Sequence, residues 1–158
     1  MPAHEKWFRL PVSGALVDDS YNLKRFVDAQ NPVYDQVCSE LRKGDKTGHW
    51  MWFIFPQIQG FGYSQLARKF ALSSLEEAQA YLAHPILGPR LIECTTLVTR
   101  ITGRTIAEIF GYPDDLKFRS CMSLFAHAAR ENHIFDDALQ KYFGGEYDPL
   151  TLQRLGKA

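Results

Sequence analysis

Ile86-Leu87-Gly88-Pro89-Arg90-Leu91-Ile92-Glu93-Cys94-Thr95-Thr96-Leu97-Val98-Thr99-Arg100-Ile101 is the stretch that decides the fold class. Leu87, Leu91, Cys94, Leu97, Val98 and Ile101 recur at three- and four-residue intervals, which places them on one face of a helix before the stop at Gly103. Its length and apolar face predict a core helix. Working upstream, Ser74-Leu75-Glu76-Glu77 has the pattern of a capping box and predicts a helix through Ala78, Tyr81 and Leu82 to His84-Pro85. Downstream, Thr105-Ile106-Ala107-Glu108 is a second capping box, with its stop at Phe110-Gly111. Pro113-Asp114-Asp115 opens a further helix with acids in the first turn, where they suit the helix dipole. Asn132 and Gly144 bracket another, and Asp148-Pro149 opens the last.

The first half reads in the same way. Leu23, Phe26 and Val27 predict a helix, Asn31-Pro32 a cap and first turn of the next, and Gly44 its end. Ser64 predicts the cap of a short helix through Leu72. Between them His49-Trp50-Met51-Trp52-Phe53-Ile54-Phe55-Pro56-Gln57 has neither strict alternation nor a polar helical face, and Pro56 blocks continuation of a helix. A short buried extended segment is the preferred reading, with helix as the alternative. Residues 1–20 hold Pro2, Pro11 and Gly14 without periodicity and read as an extension outside the core. The expectation is a mainly α single compact domain over residues 21–158, built of short helices around one long core helix.

Composition narrows the function classes. At 158 residues the chain is long enough to bury roughly 70% of its unfolded surface in one core. Its 18 basic and 18 acidic residues cancel, so no general field attracts a nucleic acid. Cys38, Cys94 and Cys121 are odd in number and set in apolar helical contexts, which predicts reduced buried thiols and a cytoplasmic location rather than a disulfide framework. Neither a signal-peptide core nor a membrane-spanning stretch is expected. No metal or cofactor is expected: there is no P-loop, no dinucleotide fingerprint in Gly60-x-Gly62 and no zinc motif, and His127 and His133 stand alone.

Two clusters carry the candidate chemistry. In the aromatic string, Trp50 and Trp52 offer flat surfaces for stacking, Lys46 and His49 a cation and a titratable imidazole, and Gln57 and Ser64 hydrogen-bonding groups. These rings also suit a core, and His49, Lys46 and Ser64 equally suit solvated or capping roles. In the second cluster, Asp115 is the candidate general acid or base, and Lys117 or Arg119 a phosphate or oxyanion partner near a helix N-terminus. Asp114 and Asp115 also suit ordinary helix-start acids. Arg90 could lend a guanidinium to phosphate.

The run Lys46-x-x-His49-Trp50-Met51-Trp52-Phe53-Ile54-Phe55-Pro56-Gln57, then Gly60-x-Gly62-x-Ser64, closely resembles the DUF1810 family. The resemblance continues through Tyr81-Leu82-Ala83-His84-Pro85, Leu87-Gly88-Pro89-Arg90-Leu91, Ile109-Phe110-Gly111 and Asp114-Asp115-Leu116-Lys117, covering about residues 21–155. Ser120-Cys121-Met122-Ser123-Leu124-Phe125 keeps Ser120 where the family often reads Ser-Ser-Met-Thr-Leu-Phe, which adds Ser120 to the candidates. The resemblance implies a mainly helical fold and no settled activity. A more distant likeness to the NADAR (YbiA-like) proteins implies a reaction class, N-glycosidase chemistry on ADP-ribose-like or riboflavin-pathway molecules. The expectation is therefore an N-glycosidase or hydrolase acting on a nucleotide-like small molecule. The alternative is a non-catalytic metabolite- or peptide-binding module using the same aromatic pocket. Its partner would be a small molecule, with no membrane and no general nucleic-acid binding.

Overall fold

The computed structural model describes residues 7–9 and 16–157. Two short strands, β1 (Trp7–Arg9) and β2 (Leu16–Asp18), pair antiparallel with Phe8 opposite Val17. Ten helices follow among the described residues: α1 (Lys24–Gln30), α2 (Tyr34–Lys43), α3 (Met51–Ile54), α4 (Gln65–Lys69), α5 (Leu75–Ala83), α6 (Leu87–Thr99), α7 (Ile106–Phe110), α8 (Asp114–Ala128), α9 (Ile134–Phe143) and α10 (Pro149–Arg154). The mainly α class is as expected. Helices α5, α6, α9 and α8 form a closed cycle in which each packs on the next, with α2 against α6 and both α7 and α10 against α8.

Most helix ends lie where local chemistry places them. Ser64 Oγ accepts from the Ala67 amide, Ser74 Oγ from Glu77, and Thr105 and Glu108 form a reciprocal capping box. Gly44 and Gly144 close α2 and α9 in the left-handed conformation. Asp148 caps α10 with Pro149 in the first turn. Three details differ. Helix α4 ends at Lys69, short of Leu72, because Leu72 leaves the helix to bridge Ile58. Asn31 does not cap α2; its Oδ1 accepts from Arg90 Nη1 at 2.9 Å. Glu77 does not reach back to Ser74 but accepts from the amide and hydroxyl of Ser73 and pairs with Arg25 at 3.0 Å.

The aromatic string is not extended. Met51–Ile54 is one helical turn, α3, and the Phe55 amide donates to Met51 O at 3.1 Å. Trp50, Met51, Ile54 and Phe55 turn into the core, while Trp52 and Phe53 stay half-buried on the other side of the turn. A four-residue turn is too short to show helical periodicity, and its outward side is aromatic because it borders other apolar surface, so no polar stripe marks it.

Helix α8 is the most enclosed. At 15 residues it is longer than the 13-residue α6 that the apolar pattern singles out. It buries Phe118, Ser120, Cys121, Met122, Ser123, Leu124, Phe125 and Ala128, which span nearly its whole circumference. Buried Ser123 donates back to the carbonyl of Arg119, and buried Ser120 shares its one proton between the carbonyl of Leu116 and Asp148 Oδ2, so their hydroxyls are satisfied inside the core. No helix among the described residues is long and apolar enough to cross a membrane.

Candidate functional site

The segment after α3 is pinned at one end by a parallel bridge, in which the Leu72 amide donates to Gln57 O at 2.9 Å and the Gln59 amide to Leu72 O at 2.8 Å. Residues 59–63 then arch over toward α4. Two glycines permit this. Gly60 has φ of +105°, and a Cβ there would lie 2.7 Å from Arg154 Cζ, so the guanidinium of α10 packs against the loop backbone. Gly62 lies so close to Ala67 that a Cβ would approach its side chain to 2.8 Å.

The arch encloses one side of a cleft of about 420 Å³, within the range of small-molecule sites. Its floor and walls include Trp52, Phe55, Phe61, Tyr63 and Phe70, with Gln57 and Gln59 supplying amides. Arg68, Lys117 and Arg154 contribute the charge, and no aspartate, glutamate or histidine lines it among the described residues. Arg68 and Arg154 are exposed, and neither side chain has an ion-pair or hydrogen-bond partner among the described residues. The cleft wall is thus aromatic and cationic.

Behind it lies an ionic cluster. Asp114 Oδ2 pairs with Lys46 Nζ at 2.8 Å and Asp114 Oδ1 with Lys117 Nζ at 3.3 Å, so one carboxylate joins the turn before α3 to the start of α8. The Lys46 side chain is 7% exposed, donates to Gly48 O at 2.6 Å and has its Nζ 5.0 Å from the Trp50 ring centroid. Lys117 Nζ sits 5.1 Å from the Trp52 ring centroid, inside the cleft. Asp114→Ala should leave Lys46 enclosed without a counter-charge and cost about 2 kcal/mol, with Asp115→Ala nearly neutral by comparison. Urea unfolding of the two variants checks this ordering.

Glu40 holds the same turn from below. Its Oε1 accepts from the Thr47 amide at 2.7 Å, the Gly48 amide at 2.8 Å and Trp50 Nε1 at 3.0 Å, while Oε2 accepts from Gln36 at 2.8 Å. Burial alone would push this carboxyl up, but the donors from Gly48, Gln36, Thr47 and Trp50 together hold it down at about 2.

The sequence candidates are therefore distributed. Trp52, Gln57 and Lys117 line the cleft. Lys46 stands one ion pair behind Lys117 through Asp114. Trp50 is buried, and its indole N–H is spent on Glu40, so it offers no stacking face. His49 is exposed, with no hydrogen-bond partner among the described residues. Asp115 accepts from the neighbouring Leu116 amide and does not line the cleft. Ser64 is a helix cap, Ser120 donates to Asp148 Oδ2 at 3.0 Å to tie α10 to α8, and Arg90 bridges Gln30 and Asn31. Sequence reasoning missed Arg68 and Arg154. The Gly60-x-Gly62 pair was the available signal, since it marks a close backbone approach, but its partner comes from the far end of the chain.

A family model described as "Protein of unknown function (DUF1810)" matches residues 20–155. The chain belongs to the DUF1810 family. It is also similar to a conserved hypothetical protein from Mycobacterium tuberculosis, whose crystal structure it matches with 58% identity and a TM-score of 0.86 over 87% of this chain and 99% of that one. No curated protein matches. Within this DUF1810 chain, the motif residues divide into two groups. Trp52, Gln57, Gly60, Gly62 and Lys117 shape or face the cleft, whereas Trp50, Gly88 and Ser120 pack the interior.

Proposed function

We propose that this DUF1810 protein binds a small anionic metabolite carrying a flat ring, as a binding module rather than a hydrolase. One observation carries the reading: a cleft walled by aromatics receives three cationic side chains and no acid among the described residues. Trp52 and its aromatic neighbours supply the surface for the ring, and Arg68, Lys117 and Arg154 the contacts for phosphate or carboxylate. Gln57 and Gln59 can read the edge of the ring through their amides. The distant likeness to NADAR proteins supports nucleotide-like ligands as the first to try. It supports hydrolysis less well, because N-glycosidic cleavage calls for a proton donor or a base, and Asp115, His49 and the ion-paired Asp114 all stand off the cleft wall.

Calorimetric titration with ADP-ribose, NAD and riboflavin phosphate, set against adenosine and riboflavin, tests the proposal. Binding should follow the anionic members and return them chemically unaltered. Arg154→Ala should weaken binding about tenfold or more, as expected for the loss of a charge-assisted contact, with Asp115→Asn leaving affinity intact. Equal affinity for charged and uncharged members, or none for either, would overturn it. Recovery of free base or ribosyl product would favour the hydrolase instead.

A further inference from the structure

Helices α2 and α6 pack face to face, with Cα atoms approaching within 8 Å, and each brings one cysteine to the seam. Cys38 Sγ lies 3.4 Å from Glu93 Oε1, the same oxygen that accepts from the Tyr34 hydroxyl at 2.6 Å, and Cys94 Sγ lies 3.8 Å from that hydroxyl. The two thiols, Tyr34 and Glu93 thus form one connected polar cluster within an otherwise apolar helix interface. Arg90 closes it from above, its guanidinium 4.6 Å from the Tyr34 ring centroid. Tyr34 and Arg90 are half-buried and Glu93 is exposed, so the cluster sits just under the surface. Cys121 is different: it is fully buried on α8, and burial pushes its thiol up.

We infer that Cys38 and Cys94 are a redox-active dithiol that a hydroperoxide closes to an intramolecular disulfide, stapling α2 to α6. The roles of the two sulfurs are unequal. A hydrogen bond from Cys94, helped by Tyr34, holds the Cys38 thiol below the usual range against the effects of burial and Glu93, whereas the bond with Cys38, together with burial, pushes Cys94 up. Cys38, whose S–H donates to the Glu93 carboxylate at 3.4 Å and can pass its proton there, is the attacking sulfur, and Cys94 the resolving one. As its proton passes to Glu93, Cys38 sulfur attacks one peroxide oxygen, the O–O bond breaks, and the departing hydroxide takes that proton back from Glu93 to leave as water. Cys94 sulfur then displaces hydroxide from the resulting sulfenic acid, forming the S–S bond, and its own proton completes the second water. Two thiols and one hydrogen peroxide become one disulfide and two waters. Closure needs Cα atoms roughly 4.4–6.8 Å apart, so a pair standing wider than that requires α2 and α6 to draw together as the bond forms.

Treating the native full-length chain with hydrogen peroxide, then denaturing, alkylating and mapping peptides by mass, tests the inference. The expected product is a peptide joining Cys38 to Cys94, lighter by two hydrogens and reversed by dithiothreitol, with Cys121 still alkylated. Cys94→Ser should stop at a Cys38 sulfenic acid that dimedone traps, Cys38→Ser should give neither adduct nor disulfide, and Cys121→Ser should behave as the parent. Circular dichroism of each variant before oxidation separates loss of chemistry from loss of fold. Alkylation of both Cys38 and Cys94 after treatment, or oxidation of Cys121 as fast as Cys38, would overturn the proposal, as would a disulfide linking two chains.

Discussion

Glu40→Ala is expected to destabilise the protein by about 3 kcal/mol and to loosen the entrance to α3. The carboxylate accepts four hydrogen bonds, from the amides of Thr47 and Gly48, the indole of Trp50 and the amide of Gln36. Truncation strands a buried Trp50 N–H, for which each unsatisfied group costs about 1–3 kcal/mol, and frees the turn that carries Lys46. Glu40→Gln keeps an acceptor oxygen and should fall between the two. The pH dependence follows from the same bonds. Because Glu40 has a folded value of about 2 against an ordinary 4.5, its contribution is fully present above about pH 4.5 and drains away as the pH falls toward 2. Urea unfolding at stepped pH checks both points: the parent should lose stability across that acid window more steeply than Glu40→Ala. Equal slopes would remove Glu40 from this role.

Gly88→Ala should cost about 3 kcal/mol, at the upper end of the overpacking range. In an open helix the same change would stabilise by up to about 1 kcal/mol, since alanine is the better helix former. Here the sign reverses. A Cβ on Gly88 would stand 2.1 Å from the carbonyl oxygen of Leu82 and 2.9 Å from its carbon, and both atoms belong to the backbone of α5. No rotamer relieves that contact, so α6 would have to move off α5, and both helices belong to the central cycle. A thermal melt compares the two outcomes directly. A variant as stable as the parent would mean that the α5–α6 approach is slack.

Several boundaries were legible because they are local. Thr105 and Glu108 are three residues apart, Asp148 directly precedes Pro149, and Gly44 and Gly144 sit at the ends they terminate. Each depends on hydrogen bonds spanning no more than one turn. The candidate site was legible only in part. Trp52, Gln57 and Lys117 belong to recognisable motifs and do face one cleft, but Trp50, two residues from Trp52, belongs to the core. Nothing in the string separates them, because which ring faces inward depends on a single helical turn whose orientation Glu40 sets from ten positions upstream.

By itself, then, the sequence determined the mainly helical class, most helix ends and membership of the DUF1810 family. These depend on periodicity, caps and contiguous motifs, all expressed over short spans. Tertiary structure decided the rest. It made α8, whose buried serines and cysteine disguise it, the most enclosed helix, and it turned the aromatic string into α3. It also set Arg154 of α10 against Gly60 to complete a cationic cleft. Those outcomes depend on contacts between residues far apart in the chain, where what a side chain does is fixed by the neighbour that packing brings to it.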